Sequence, residues 1–139
     1  MTTSFSKFVE TKTSALLDKH GAFFAFSNKQ LDEGLEENKA KGFSADKADY
    51  CQVVGGMILP KSNVEVFNAE YDAVMSAARE EYLNTYTKAQ IIGYELSNHE
   101  AGYTNDISDT VDAVAHLGFT RDDVREVYVT WYKENKDYF

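Results

Sequence analysis

The stretch Glu95-Leu-Ser-Asn98-His99-Glu100-Ala-Gly-Tyr103-Thr-Asn-Asp106 gathers carboxylates, a carboxamide, an imidazole and a phenol more densely than any other part of the chain. Helical spacing gives these groups a geometry. Ile92, Leu96, His99 and Tyr103 recur at i, i+4, i+7 and i+11, so the imidazole shares an apolar face with Glu95 one turn before it. A carboxylate at that spacing can pair with the ring, favour its protonated form and hold one tautomer. Asn98 and Glu100 flank the ring where a helix end leaves carbonyls in need of donors, and Thr104, Asn105 and Asp106 form a polar elbow beyond it.

Three kinds of chemistry compete for this cluster. In the plainest, His99 is partly buried, bonds Glu95 or nearby backbone, and pins the elbow between two helices. In the second, His99, Glu100, Tyr103 and neighbouring aromatics form a ligand pocket or a protein-contact hot spot. The nine tyrosines of the chain suit such a surface, because a rigid ring ends in a polar tip. In the third, Glu95, His99 and Asp106 offer one nitrogen and two oxygens to a divalent ion, in a small-molecule or metal site with possible hydrolase chemistry. Against the third, Asn98-His99-Glu100 lacks the second histidine that a zinc-protease helix carries one turn away. His20 and His116 would join only if the fold brought them there. No serine sits in a Gly-x-Ser-x-Gly elbow, and Cys51 has no basic residue adjacent in sequence to lower its pKa. The binding candidates are therefore Glu95, Asn98, His99, Glu100, Tyr103 and Asp106, with no catalytic residue, metal ligand or cofactor assigned.

The elements that position this cluster follow from periodicity and capping. Phe5, Phe8, Val9, Leu16 and Leu17 predict an amphipathic helix over 4–19 that stops at Gly21. Ala22-Phe23-Phe24-Ala25-Phe26 reads as a strand buried on both faces, and Ser27-x-x-Gln30 as the capping box of a short acidic helix. The segment from Tyr50 to Pro60 is a second β region, with Gly55-Gly56 supplying a turn or bulge. Ser62-x-x-Glu65 then opens the longest helix, whose inner face runs Val64, Phe67, Tyr71, Val74, Ala78, Tyr82. A helix from Thr87 to about Ala101 is expected to end at Gly102, another to end at Gly118, and the last to begin at Thr120. The sum is a mainly helical α+β fold: about six helices on a small two- or three-stranded antiparallel sheet, which should lie against the long helix.

A chain of 139 residues with 43% hydrophobic content is one domain's worth, so 1–139 is expected to form a single compact domain with a real core. Pro60 is the only proline, and no linker or repeat interrupts the sequence. The single cysteine, Cys51, points to a reducing compartment and an ordinary buried thiol. No window approaches the ~18 apolar residues of a membrane span, and the first residues lack a signal-peptide pattern. The expected location is the cytoplasm. With 23 acidic against 14 basic residues the net charge is −9, which opposes direct DNA or RNA binding over most of the surface. The acidic helix carrying Asp32, Glu33, Glu36 and Glu37 is the candidate interaction surface, read against the plainer alternative of a solvated face.

Three strings carry a resemblance: Gly21-Ala-Phe-Phe-Ala-Phe-Ser-Asn-Lys-Gln30, Gly55-Gly56-Met-Ile-Leu-Pro60, and Asn98-His99-Glu100-Ala-Gly-Tyr103-Thr-Asn-Asp106. Together they resemble small proteins encoded by bacteriophages and prophages, over about residues 21–118. The resemblance implies a phage origin, a bacterial host cytoplasm and no particular reaction. On this reading the chain is an acidic interaction protein that binds a host protein or complex without catalysis, for instance a defence or nucleic-acid-handling factor. Homo-oligomerisation through Tyr132, Tyr138 and Phe139 is a further expectation.

Overall fold

The computed structural model describes the chain from Met1 to Phe139, apart from the side chain of Val54. In chain order the elements are α1 (Phe5–His20), β1 (Phe23–Phe24), α2 (Asn28–Ala40), β2 (Tyr50–Gln52), β3 (Met57–Pro60), α3 (Val64–Thr85), α4 (Lys88–Asn98), α5 (Ala101–Thr104), α6 (Ser108–Val114) and α7 (Arg121–Asn135). Seven helices and one three-stranded antiparallel sheet make this a mainly helical α+β fold. No described helix is long and apolar enough to cross a membrane.

Local chemistry sets most boundaries. At the end of α1, Gly21 adopts φ 69°, its N–H donates to Asp18 O at 3.4 Å, and Ala22 N–H donates to Leu17 O at 2.9 Å. This is a Schellman stop, which a left-handed glycine permits. Ser27 Oγ caps α2 by accepting from Gln30 N–H, while Gln30 Oε1 reaches back to Phe26 N–H at 2.7 Å, one residue earlier than in a capping box. Complete capping boxes open α4 (Thr87 with Gln90) and α7 (Thr120 with Asp123). The box expected at Ser62 does not form. Ser62 lies in a 3-10 turn, Lys61–Asn63, and its hydroxyl faces Asn63 Oδ1 at 3.5 Å.

The chain forms two compact units, Val9–Ser76 and Met1–Phe8 with Ala77–Phe139. In Val9–Ser76 the strands run in the order β1-β3-β2, with Phe23 opposite Ile58 and Cys51 opposite Leu59. One sheet face packs Leu59 with Leu16, Ala22 and Phe67, so the small sheet lies against the first turns of α3 as expected. The other packs Ile58 and Tyr50 with Ala25 and Leu35 of the α2 side. Gly55 and Gly56, at φ 81° and 78°, turn β2 into β3, and Val53 N–H closes the turn on Met57 O at 2.8 Å.

Two expectations about these strands are corrected. Residues 22–26 are not a strand buried on both faces: only Phe23–Phe24 pair, at a sheet edge, and Phe24 and Phe26 are exposed. Cys51 lies on the opposite edge and is half-buried, its Sγ 3.5 Å from Leu59 O, rather than enclosed.

In the second unit, Tyr82, Ile91, Ile92, Leu96, Val114 and Val124 form the centre of the core, with Phe5 and Phe8 packed against it. The Phe5 and Phe8 rings sit 5.4 and 5.1 Å from that of Tyr82, whose hydroxyl donates to Thr3 O at 2.5 Å. Burial, reinforced by the Glu95 charge, pushes the Tyr82 phenol up to about 12. The helix begun at Thr87 stops at Asn98, earlier than expected, and Gly102 lies inside α5 instead of ending a helix. This extra turn is the element beyond the six expected.

Candidate functional site

The corner from Glu95 to Asp106 joins a small group of its own side chains to partners on α6 and α7. His99 Nε2 lies 3.2 Å from Glu95 Oε2, and Asn98 Nδ2 donates to the same oxygen at 3.4 Å. The Glu95 side chain is only 14% exposed. The Glu95 carbonyl accepts from His99 N–H at 3.0 Å and from Thr110 Oγ1 at 3.3 Å, tying α4 to α6.

Glu100 and Asn105 then adopt left-handed backbone, φ 53° and 55°, on either side of α5. Such a conformation costs a non-glycine residue roughly 1–2 kcal/mol, so packing must hold it in place. Between them Ala101 is fully buried, and Gly102 lies against the ring of Phe139. Asn105 Oδ1 accepts from the Tyr128 hydroxyl at 2.7 Å. Asp106 Oδ1 accepts from Ser108 N–H at 2.9 Å, and these Ser108 bonds, with the Arg121 charge, hold its carboxyl below the usual carboxylate range.

These contacts sort the candidate residues. Glu95, Asn98 and His99 form one hydrogen-bonded group, whereas Asp106 is engaged at the start of α6. Among the described residues, no three His, Cys, Asp or Glu side chains lie close enough to hold a metal ion. The Glu100 backbone closes the corner, its carbonyl accepting from Tyr103 N–H at 3.0 Å.

Tyr103 goes elsewhere. It is 67% exposed, its hydroxyl donates to Tyr138 O at 2.9 Å, and its ring meets Phe139 edge-on at 5.0 Å. Phe139 also packs against Trp131 at 5.3 Å and stacks on Tyr132 at 5.8 Å, and Tyr128 adjoins both Trp131 and Tyr132. The result is a continuous aromatic cluster whose rim, Tyr103, Tyr132, Tyr138 and Phe139, is open to solvent. Helical spacing along α7 sets Tyr128 and Trp131 on its inner stripe and Tyr132 on its exposed side. Nothing in the sequence announced that Tyr103 would join them.

The other two histidines are occupied separately. His20 is buried, with Nε2 2.8 Å from Glu70 Oε2, and Lys19 Nζ reaches both Glu70 oxygens at 2.9 and 3.1 Å. The His20 bond, followed by the Lys19 bond, lowers the Glu70 pKa. Sequence reasoning missed this pair because its partners lie 50 residues apart. His116 accepts through Nδ1 from Arg79 Nε at 3.3 Å, and burial together with the Arg79 charge lowers its pKa. On α2, Asp32, Glu33, Glu36 and Glu37 are all exposed, and Lys29 approaches Glu33 at 4.0 Å.

A family model described as a family of unknown function, DUF7659, matches residues 5–134, and the chain belongs to that family. No curated protein and no solved structure shows significant similarity to it.

Proposed function

We propose that this member of the DUF7659 family is a non-catalytic interaction protein that binds another protein through the aromatic rim around Tyr103, with its acidic charge steering the encounter. The observation that carries the reading is the division of labour at the corner. Glu95, Asn98 and His99 bond one another and Asp106 bonds Ser108, while the large apolar surface left exposed beside them is Tyr103 with Tyr132, Tyr138 and Phe139. Rigid aromatic side chains with polar tips anchor interfaces at little entropic cost. The exposed carboxylates of α2 and the net charge of −9 favour a basic partner and accelerate association at low salt. The resemblance of the three sequence strings to phage and prophage proteins supports an origin in which that partner is a bacterial host protein, in the host cytoplasm.

The test begins with affinity capture from bacterial lysate, followed by calorimetric titration of the recovered protein. The expected result is one saturable, stoichiometric partner. The double variant Tyr103→Ser/Tyr138→Ser should weaken it mainly through faster dissociation, and Glu33→Lys/Glu36→Lys mainly through slower association. Recovery of no saturable partner, or binding indifferent to the tyrosine pair, overturns the reading. Light scattering distinguishes self-association through the same rings.

A further inference from the structure

We propose that the groove between β2 and the first turns of α2 binds an extended peptide ending in an apolar residue with a free carboxylate. All of its parts lie within Val9–Ser76. A depression of about 650 Å³ opens there, lined by Ile58, Leu31, Phe26 and Tyr50, with Lys47 among its polar lining. That is the size range of small-ligand clefts, and its apolar lining supplies a slot for one side chain.

The sheet edge argues for a peptide. β2 is an edge strand, and Val53 N–H bonds Met57 O on β3. Antiparallel alternation therefore makes Gln52 and Ile58 a non-hydrogen-bonded pair, with the N–H and C=O of Gln52 directed away from β3. Pro60, which has no N–H to give, stands opposite Tyr50 at the next such pair. The Tyr50 N–H is already held by Lys47 O, so the outward edge presents one complete donor–acceptor residue, Gln52. An unpaired edge of this kind is a template for a further strand.

Charge argues for the carboxylate. The depression has no Asp or Glu in its lining, in a chain with 23 of them. Neither acidic neighbour of Lys47 pairs with it: Asp46 accepts from Ala48 N–H at 2.9 Å, and Asp49 accepts from the Ser44 hydroxyl at 2.6 Å. Lys47 itself makes no ion pair with a described residue. A strand laid along Gln52 with its last side chain in the slot would bring its terminal carboxylate to this ammonium.

The test titrates the ¹⁵N-labelled full chain with hexapeptide pools, degenerate at five positions and ending in Leu, Val or Phe, as free acids and as amides. The free acids are expected to shift the amide resonances of Gln52, Leu31 and Lys47, and amidation to weaken binding about tenfold or more. Lys47→Glu should weaken the free acids similarly. Gln52→Pro, which removes the outward N–H but fits an edge strand, should abolish binding, whereas Gln52→Ala should keep it because only main chain is used. Retained circular dichroism verifies folding of each variant. Absence of shifts, or equal binding of acid and amide, overturns the proposal. So do octanoate binding that survives Gln52→Pro, which marks a small-molecule cleft, and self-association lost in Gln52→Pro, which marks pairing of two β2 edges. The groove is independent of the aromatic rim, so either can fail alone.

Discussion

Gly102 stands where the ring of Phe139 rests: a Cβ on Gly102 would lie 2.1 Å from the nearest ring carbon. Gly102→Ala must therefore move something, and the ring, at the far end of a side chain, yields more cheaply than the α5 backbone. Alanine also recovers about 1 kcal/mol of helix propensity. The expected outcome is a small net change in denaturation midpoint with a marked change in Trp131 fluorescence, because Phe139 leaves its position 5.3 Å from the indole. Unchanged fluorescence would show that the ring does not depend on the missing Cβ.

Gly34 is the opposite case. A Cβ there would meet the Phe23 ring at 2.2 Å, and that ring is packed between α2 and the sheet with Leu35 and Tyr50. Overpacking costs roughly 1–3 kcal/mol, which outweighs about 1 kcal/mol of propensity. Gly34→Ala should lower stability in urea by up to about 2 kcal/mol, and Phe23→Leu in the same chain should restore part of it. Gly42, with open space around its Cβ position, serves as control. Alanine there should cost only the strain of its φ of 93°, roughly 1 kcal/mol.

These two glycines mark the limit of what sequence periodicity conveys. Capping boxes at Thr87 and Thr120, the stop at Gly21 and the Gly55-Gly56 turn were legible because each is a local hydrogen-bond pattern within a few residues. The Glu95–His99 pair was legible for the same reason, being i,i+4 on one helix. Tyr103 on Tyr138, His20 on Glu70 and Asn105 on Tyr128 were not, since each depends on chain return across 23 to 50 residues. The left-handed Glu100 was hidden for a different reason: its residue type disfavours the conformation, and the burial of Ala101 and the bonds to the Glu100 carbonyl enforce it.

Asn38 is a buried polar residue, 3% exposed, whose Nδ2 donates to Gly21 O at 2.7 Å and to the Tyr50 hydroxyl at 3.1 Å. The Tyr50 hydroxyl in turn donates to Ser44 O at 2.6 Å. Asn38→Leu leaves the buried Gly21 carbonyl without that donor, a loss of about 1–3 kcal/mol. Tyr50→Phe should cost less, because Asn38 keeps its bond to Gly21. A double-mutant cycle in urea should show coupling between the two. Strict additivity would mean that the shared hydrogen bond contributes nothing.

Stability should depend on acid through His116, Glu70 and Asp123 in successive windows, with Asp106 sharing the last of them. His116 has its pKa lowered below the ordinary 6.5, by burial first and the Arg79 charge second. Its neutral form is the folded one, so its contribution is complete above pH 6.5 and drains as pH falls through the depressed value. Glu70, lowered from 4.5 by its bonds to His20 and Lys19, contributes above 4.5 and is lost below it. Asp123, bonded to Thr120 N–H and to Lys88, is held at about 2, so its share persists until pH falls from 3.8 towards 2. Urea midpoints measured from pH 7.5 to 2.5 should reveal each step as a slope that one substitution reduces. His116→Gln should flatten the profile just below pH 6.5, Glu70→Gln below 4.5, and Asp123→Asn only below 3.8. A His116→Gln profile that parallels the unsubstituted protein between pH 6.5 and 5 would place the folded-state pKa of that imidazole back at its ordinary value.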